Sequence, residues 1–166
     1  MPSDIVIKCS HALKDQDLTI AFAESVTAGK FISEFALIPN CGKVLKGGIA
    51  CYDVSVKVNL MGVSQETLDQ FTPESAEVTE ELAIGLRKLM PADVIVAVTG
   101  LAAPGGSETE EKPVGTVFIH GFIKDKPWKQ RLFIDDEPEQ VILKSIDTVA
   151  EYLLQQLPPP TIPPNC

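Results

Sequence analysis

Residues 94–98 read Val94-Ile95-Val96-Ala97-Val98, an unbroken apolar run that stops at Thr99-Gly100. A strand exposed on one face alternates apolar and polar residues. One without alternation is buried on both faces, as the central strands of an α/β sheet are. Before this run, a helix expected to start at Thr72-Pro73-Glu74, with Thr72 as its cap and Pro73 in its first turn, runs to about Met90 and carries Ala76, Leu82, Ala83, Leu86 and Leu89 towards its buried side. After it comes a long loop rich in Gly, Glu and Pro, from Leu101 to Gly115. Strands over Thr116 to Ile123 and Trp128 to Ile134 then form an expected hairpin across Lys124-Asp125-Lys126-Pro127.

The N-terminal half repeats the strand–helix alternation. Asp4 to Lys14 reads as an opening helix, Leu18 to Ala23 as a strand, and the segment with Phe31, Ile32, Phe35 and Leu37 as a helix. Pro39-Asn40-Cys41-Gly42 is a turn-rich break, and Gly47 to Tyr52 a second strand entered through Gly47-Gly48. Short helices follow over Ser55 to Leu60 and Gln65 to Phe71, the latter capped by Ser64, and Glu139 to Leu157 closes the pattern as a long amphipathic helix. This order predicts a three-layer α/β/α sandwich around a five-stranded mixed sheet with one antiparallel strand. Residues 1–157 form one domain in this reading, with 158–166 as a Pro-rich tail, extended or disordered, that holds five prolines in nine residues.

Composition narrows the function classes. The chain has 166 residues, enough for one domain with a real core. Acidic residues outnumber basic ones 23 to 14, for a net charge of −9, and no Lys/Arg cluster appears. A surface that neutralises nucleic-acid phosphates is therefore not expected. No apolar run approaches the length of a membrane span, and the Met-Pro-Ser-Asp start lacks signal-peptide features. The expectation is a cytoplasmic protein without membrane or nucleic-acid partners. Cys9, Cys41, Cys51 and Cys166 are scattered, and His11 and His120 fall on a helix and inside a strand. That pattern predicts neither a metal site nor a histidine-based hydrolase, and no cofactor.

Three polar segments leave expected strands at their C-terminal ends: Glu24-Ser25-Val26-Thr27, Tyr52-Asp53 and Thr99-Gly100. Ligands of open α/β sheets collect beyond those ends. Ser25 and Thr27 suit helix capping and ligand contact alike. Thr99-Gly100-Leu101-Ala102-Ala103-Pro104-Gly105-Gly106 matches neither a phosphate-binding lysine loop nor a dinucleotide fingerprint, and reads as a flexible loop or a close-approach ligand loop. Glu108 to Lys112 reads as a solvated charge run. A desolvated Lys57 beside Tyr52 is the remaining source of proton chemistry.

These segments together resemble the CinA C-terminal domain family, whose active members are nicotinamide-mononucleotide deamidases. The resemblance rests on Ala23-Glu24-Ser25-Val26-Thr27-Ala28-Gly29, on Gly47-Gly48-Ile49-Ala50-Cys51-Tyr52, on Lys57 with Leu60-Met61-Gly62-Val63, on the 99–106 loop, and on Glu111-Lys112-Pro113-Val114-Gly115-Thr116-Val117. It implies hydrolysis of a nucleotide carboxamide to the acid and ammonia, without a metal. It also implies a homodimer or higher homo-oligomer, and contacts from Glu24, Ser25, Thr27, Gly42, Gly47, Gly48, Gly100, Ala103, Pro104 and Gly105 to a small nucleotide such as nicotinamide mononucleotide. Tyr52, Lys57 and Thr99 take the catalytic roles it implies.

The resemblance puts the nucleophile in a Gly-Ser-Ser loop that falls on Asn40-Cys41-Gly42, where Gly42 has no side chain to attack with. Cys41, one residue away, is the candidate substitute thiol. Asp53 stands where a Ser or Thr is usual, Ala28 where a Gly is, and Asp135-Asp136-Glu137-Pro138-Glu139 where phosphate-binding arginines are. These departures imply either weakened or altered amidase activity, or an inactive member that serves as a nucleotide-binding or interaction module.

Overall fold

The structure is a computed structural model that describes residues 1–157, so the expectation for the Pro158–Cys166 tail lies outside the described residues. Helix α1 (Asp4–Asp15) precedes strand β1 (Ile20–Glu24), α2 (Lys30–Ala36), a 3-10 turn at Cys41–Lys43 and β2 (Leu45–Ala50). Three helices follow, α3 (Val54–Asn59), α4 (Gln65–Phe71) and α5 (Ala76–Leu89), then β3 (Val94–Gly100), β4 (Thr116–Ile123), β5 (Lys126–Phe133) and α6 (Pro138–Gln156).

The sheet order is β2-β1-β3-β4-β5. Strand β1 pairs in parallel with β2 and β3, while β4 runs antiparallel to β3 and β5 and is the one antiparallel strand. The two-residue period of strands sends alternate side chains to opposite faces. Ile20, Phe22, Val94, Val96 and Val98 pack with α1, α2 and α6 through Leu13, Phe31, Phe35, Val149 and Leu153. Ala21, Ala23, Ile95 and Ala97 meet Leu68 of α4 and Val78, Leu82 and Leu86 of α5. Both faces of β1 and β3 are thus dry, and the three-layer sandwich follows from their uninterrupted apolar sequence. Gly85 lets α5 close on the chain after α3, since a Cβ there would stand 1.9 Å from the Met61 carbonyl oxygen.

Several local expectations are corrected. Helix α5 starts at Ala76 rather than directly after Thr72 as expected, because Ser75 is its cap and accepts from the Val78 N–H. Thr72 instead closes α4 with a φ of 69°, its N–H bonded to the Leu68 carbonyl. Strand β2 begins at Leu45, so Gly47 and Gly48 lie inside it rather than at its entry. The hairpin turns on Lys124 and Asp125 alone, and Pro127 enters β5, an edge strand that tolerates a missing N–H.

Candidate active site

Strand β1 ends on Glu24, the sheet's one buried carboxylate. Its Oε2 accepts from Thr27 Oγ1 at 2.7 Å and from the Gly29 and Phe31 N–H groups at 3.0 Å, and Oε1 accepts from the Ile32 N–H at 3.0 Å. Those amides open α2 and have no partner within the helix, so Glu24 satisfies them and complements the positive end of the helix. The turn in between passes through positive φ at Ala28 (48°) and Gly29 (95°), and its tightness presents Ser25 to the end of the sheet. The Ser25 N–H is bonded to the Val98 carbonyl of β3 at 3.0 Å, which fixes its backbone between β1 and β3.

Lys57 comes from the far side of β2. Asp53 caps α3 by accepting from the Ser55 N–H at 2.8 Å, and the short helix turns Lys57 inward until it is 1% exposed. Its Nζ lies 2.9 Å from Ser25 Oγ, 2.8 Å from the Cys51 carbonyl oxygen and 3.0 Å from that of Tyr52. Burial holds its ammonium below the ordinary lysine value, against the opposing pull of Cys51, Glu74 and Asp53. As a neutral amine it has two N–H groups for the two carbonyls, which leaves its lone pair for the Ser25 hydroxyl proton. In that state the amine faces the Ser25 hydroxyl as a base, and as an ammonium it donates to the same oxygen.

Ser25 opens into a cleft of about 460 Å³ lined also by Val26, Ala28, Tyr52, Glu74, Gly100 to Gly106, Pro138 and Ile142. Such a volume suits a small organic ligand. The wall from Leu101 to Gly115 is held down by Lys112, whose Nζ donates to Thr72 Oγ1 at 2.7 Å, Ser107 Oγ at 2.6 Å and the Glu74 carbonyl oxygen at 2.8 Å. Lys112 is therefore a clasp, not part of the solvated run expected from its acidic neighbours, and burial lowers its pKa as well. At the tip, Gly105 donates its N–H to Glu108 Oε1 at 2.8 Å.

The structure brings together Ser25, Lys57, Tyr52, Gly100, Ala103, Pro104 and Gly105 at this cleft. Tyr52 contributes its carbonyl to Lys57, and the residue, 71% exposed, lines the cleft. Glu24 and Thr27 lie behind Ser25 as buried supports of α2. Thr99 is also fully buried. Thr79 Oγ1 donates to the Ser75 carbonyl oxygen, so Thr99 donates to Thr79, 2.8 Å away, and its proton points into α5 rather than the cleft. Gly47 and Gly48 sit within β2, where a Cβ at Gly48 would meet Phe22 O at 2.6 Å and Ile32 at 2.8 Å. The smallness of Gly48 serves the close approach of α2, while Gly47, at a φ of 135°, faces Met90 after α5.

Cys41 and Gly42 are not brought to Lys57 within the chain. They precede β2 and Lys57 follows it, so a strand of roughly 17 Å separates them. Cys41 Sγ instead contacts the Ala36 carbonyl oxygen at 3.4 Å. His11 and His120 lie on α1 and mid-β4, away from the cleft lining. Among the described residues no group of three or more His, Cys, Asp or Glu is arranged to hold a metal ion, and no helix is long and apolar enough to cross a membrane. The pairing that sequence reasoning missed is Ser25 with Lys57. Each stands out in the sequence on its own, yet a separation of 32 positions gives no sign of contact.

Residues 3–157 match the CinA C-terminal domain family. A CinA-like protein from Pseudothermotoga lettingae is 41% identical over 145 residues, covering 86% of this chain and 34% of that protein. A putative competence-damage inducible protein from Clostridium tetani is 34% identical over 145 residues, covering 87% and 35%. The chain thus spans about a third of the length of these curated relatives. In crystal structures, a competence-damaged protein (CinA) superfamily protein from Escherichia coli superimposes with a TM-score of 0.86 at 28% identity, over 93% of this chain and 89% of that one. One from Enterobacter cloacae gives 0.84 at 29% identity, over 92% of each.

Proposed function

The chain belongs to the CinA C-terminal domain family, and on that premise we propose that its cleft hydrolyses a carboxamide, with Ser25 as the nucleophile and Lys57 as its base. One observation carries this reading: a buried amine 2.9 Å from a hydroxyl that faces a cleft. A serine is a weak nucleophile until an adjacent base takes its proton, and a desolvated lysine is such a base without any histidine. Gly42, at the position where the resemblance implies the nucleophile, then costs nothing.

The steps balance as follows. Ser25 Oγ adds to the amide carbon while its proton passes to Lys57 Nζ. The tetrahedral oxyanion collapses, and ammonia departs with the proton from Lys57, leaving an acyl ester on Ser25. Water then attacks the ester, gives a proton to Lys57, and the departing Ser25 oxygen recovers it. The products are a carboxylate and ammonium. The Val26 N–H, next in the chain and on the cleft wall, is the first candidate donor to the oxyanion.

A second reading rests on the same contacts. Three acceptors around Nζ also suit a charged ammonium, and in that state Ser25 has no base. A chain held so would bind a ligand in the cleft without turnover, as a nucleotide-binding or interaction module. Ammonia release at high protein concentration separates the two, starting from nicotinamide mononucleotide, the amide implied by the resemblance. Release that falls by about 10³ or more in both Ser25→Ala and Lys57→Met supports the amidase. Stabilisation by the amide with no release supports the binding module.

A further inference from the structure

We infer that the proline-rich segment Pro158–Cys166 docks as an extended chain on an aromatic groove of its own domain, over the stacked rings of Trp128 and Tyr152. The groove lies at the opposite end of the sheet from the Ser25 cleft, so the inference is independent of the amide-hydrolase reading.

The groove forms where the β4–β5 turn meets the last turns of α6. Its volume is about 530 Å³, and Leu18, Ile123, Pro127, Trp128, Tyr152 and Leu157 give it an apolar lining. Leu18 precedes β1, and Ile123 pairs with Val94, the first residue of β3, which places the groove at the N-terminal ends of these strands. The Trp128 and Tyr152 rings stack with centroids 4.4 Å apart. Gly121, the cross-strand partner of Trp128, makes room for the indole, since a Cβ there would stand 2.6 Å from its ring. Tyr152 and Ile123 are half-buried and Pro127 is exposed, so the groove is open to a further chain.

The segment that begins at this groove has the composition such a surface takes. Residues 158–166 read Pro158-Pro159-Pro160-Thr161-Ile162-Pro163-Pro164-Asn165-Cys166, with five prolines, one large aliphatic side chain and no charged one. Proline fixes its own φ, so a proline-rich chain gives up little freedom on docking, and aromatic grooves recognise such chains for that reason. The absence of charge spares the cost of stripping water from an ion.

The connection favours this occupant over any other. Leu157 is itself a lining residue, and at φ −80° and ψ 133° its backbone has left the helix for the polyproline range. A residue before proline is held in that region, so the chain meets Pro158 extended and at the edge of the groove. At about 3.1 Å per residue, nine residues reach roughly 28 Å, enough to pass over both rings. So short a tether sets an effective concentration on the order of millimolar, which a competing molecule must exceed.

Trp128 is the only tryptophan of the chain, so its fluorescence reads this groove alone. Acrylamide quenching and far-UV circular dichroism are measured on the unaltered full chain, on Ile162→Asp, and on a variant combining Pro159→Ser, Pro160→Ser, Pro163→Ser and Pro164→Ser. Both variants are expected to show a quenching constant raised roughly twofold or more and a red-shifted emission, with the helical signal unchanged, because the docked chain no longer shields the indole. Quenching that stays at the unaltered value in either variant, or that rises only together with a loss of helical signal, would overturn the inference. Dilution identifies which molecule supplies the segment. The quenching constant of the unaltered protein is expected to stay level over about a hundredfold dilution, as an intramolecular contact requires. A rise on dilution would mean that a second copy supplies the segment, and would overturn docking within the chain.

Discussion

Lys57 Nζ and Ser25 Oγ lie 2.9 Å apart across the ends of β1 and β2, both buried, with the remaining hydrogen-bonding capacity of the lysine taken by two backbone carbonyls. Because those carbonyls are fixed by the chain around Cys51, the amine is aimed before any ligand arrives. Preorganisation of this kind separates a reactive pair from a chance contact.

The first consequence is a pH dependence. Only the neutral amine is a base, so kcat/KM is expected to rise with pH to a plateau, with an apparent pKa below the ordinary lysine value of 10.5. Stability follows with a defined sign. Between the lowered folded pKa and the unfolded one, the unfolded chain binds more protons, so the burial penalty at Lys57 is relieved as pH rises through that window. Urea unfolding of the unaltered protein minus that of Lys57→Met, taken as a function of pH, should therefore show stability increasing towards alkaline pH. A flat difference contradicts a desolvated Lys57.

Glu24 is expected to matter for stability. Its removal leaves the Thr27 hydroxyl and the Gly29, Phe31 and Ile32 amides without their acceptor. Glu24→Ala should cost about 3 kcal/mol or more in urea unfolding. A cost under about 1 kcal/mol contradicts the structural role.

Ala28 sits at a φ of 48°, in the left-handed region. A side chain there costs roughly 1–2 kcal/mol, part of which glycine returns in unfolded-state entropy. Ala28→Gly is expected to stabilise the fold by up to about 1 kcal/mol, seen as a raised melting temperature.

Lys112 ties the 101–115 loop to the turn between α4 and α5 through Thr72, Glu74 and Ser107. Lys112→Met is expected to cost about 1–2 kcal/mol and to speed amide hydrogen exchange in that loop more than in β3. Uniform exchange across both segments contradicts the clasp.

Cys41 tests the alternative nucleophile. It lies before β2, and Lys57 after it, so Cys41→Ala is expected to change ammonia release by less than about twofold. A large loss would require Cys41 to reach a base by a route outside the single chain.

The fold was legible because its signals are local. The Val94–Val98 run, the Ser64 cap and the amphipathic last helix each declare themselves within a few residues, and the three-layer architecture follows from the alternation of strands and helices. Thr72-Pro73-Glu74 is a good capping sequence and points to an earlier start of α5, but Ser75 caps the helix by accepting from the Val78 amide, while Thr72 closes α4. The candidate site was legible in parts. Ser25, Tyr52 and Lys57 all stand out in the sequence, but Ser25 reads there as a cap or ligand contact because nothing local tells which side chain folds onto Lys57. Lys112 was hidden for a similar reason: its three partners are 38 and 40 positions earlier and five positions earlier in the chain. Contacts that close only in three dimensions leave no local pattern.

The central claim is that Lys57 activates Ser25, and it can be tested without knowing the substrate. The protein is treated with a small sulfonyl fluoride, which labels activated serines, and the modified peptide is located by mass spectrometry in unaltered and Lys57→Met protein. The account expects labelling on Ser25 that increases with pH and disappears in Lys57→Met. Labelling that leaves Ser25 untouched, or that proceeds equally without the lysine, would contradict it.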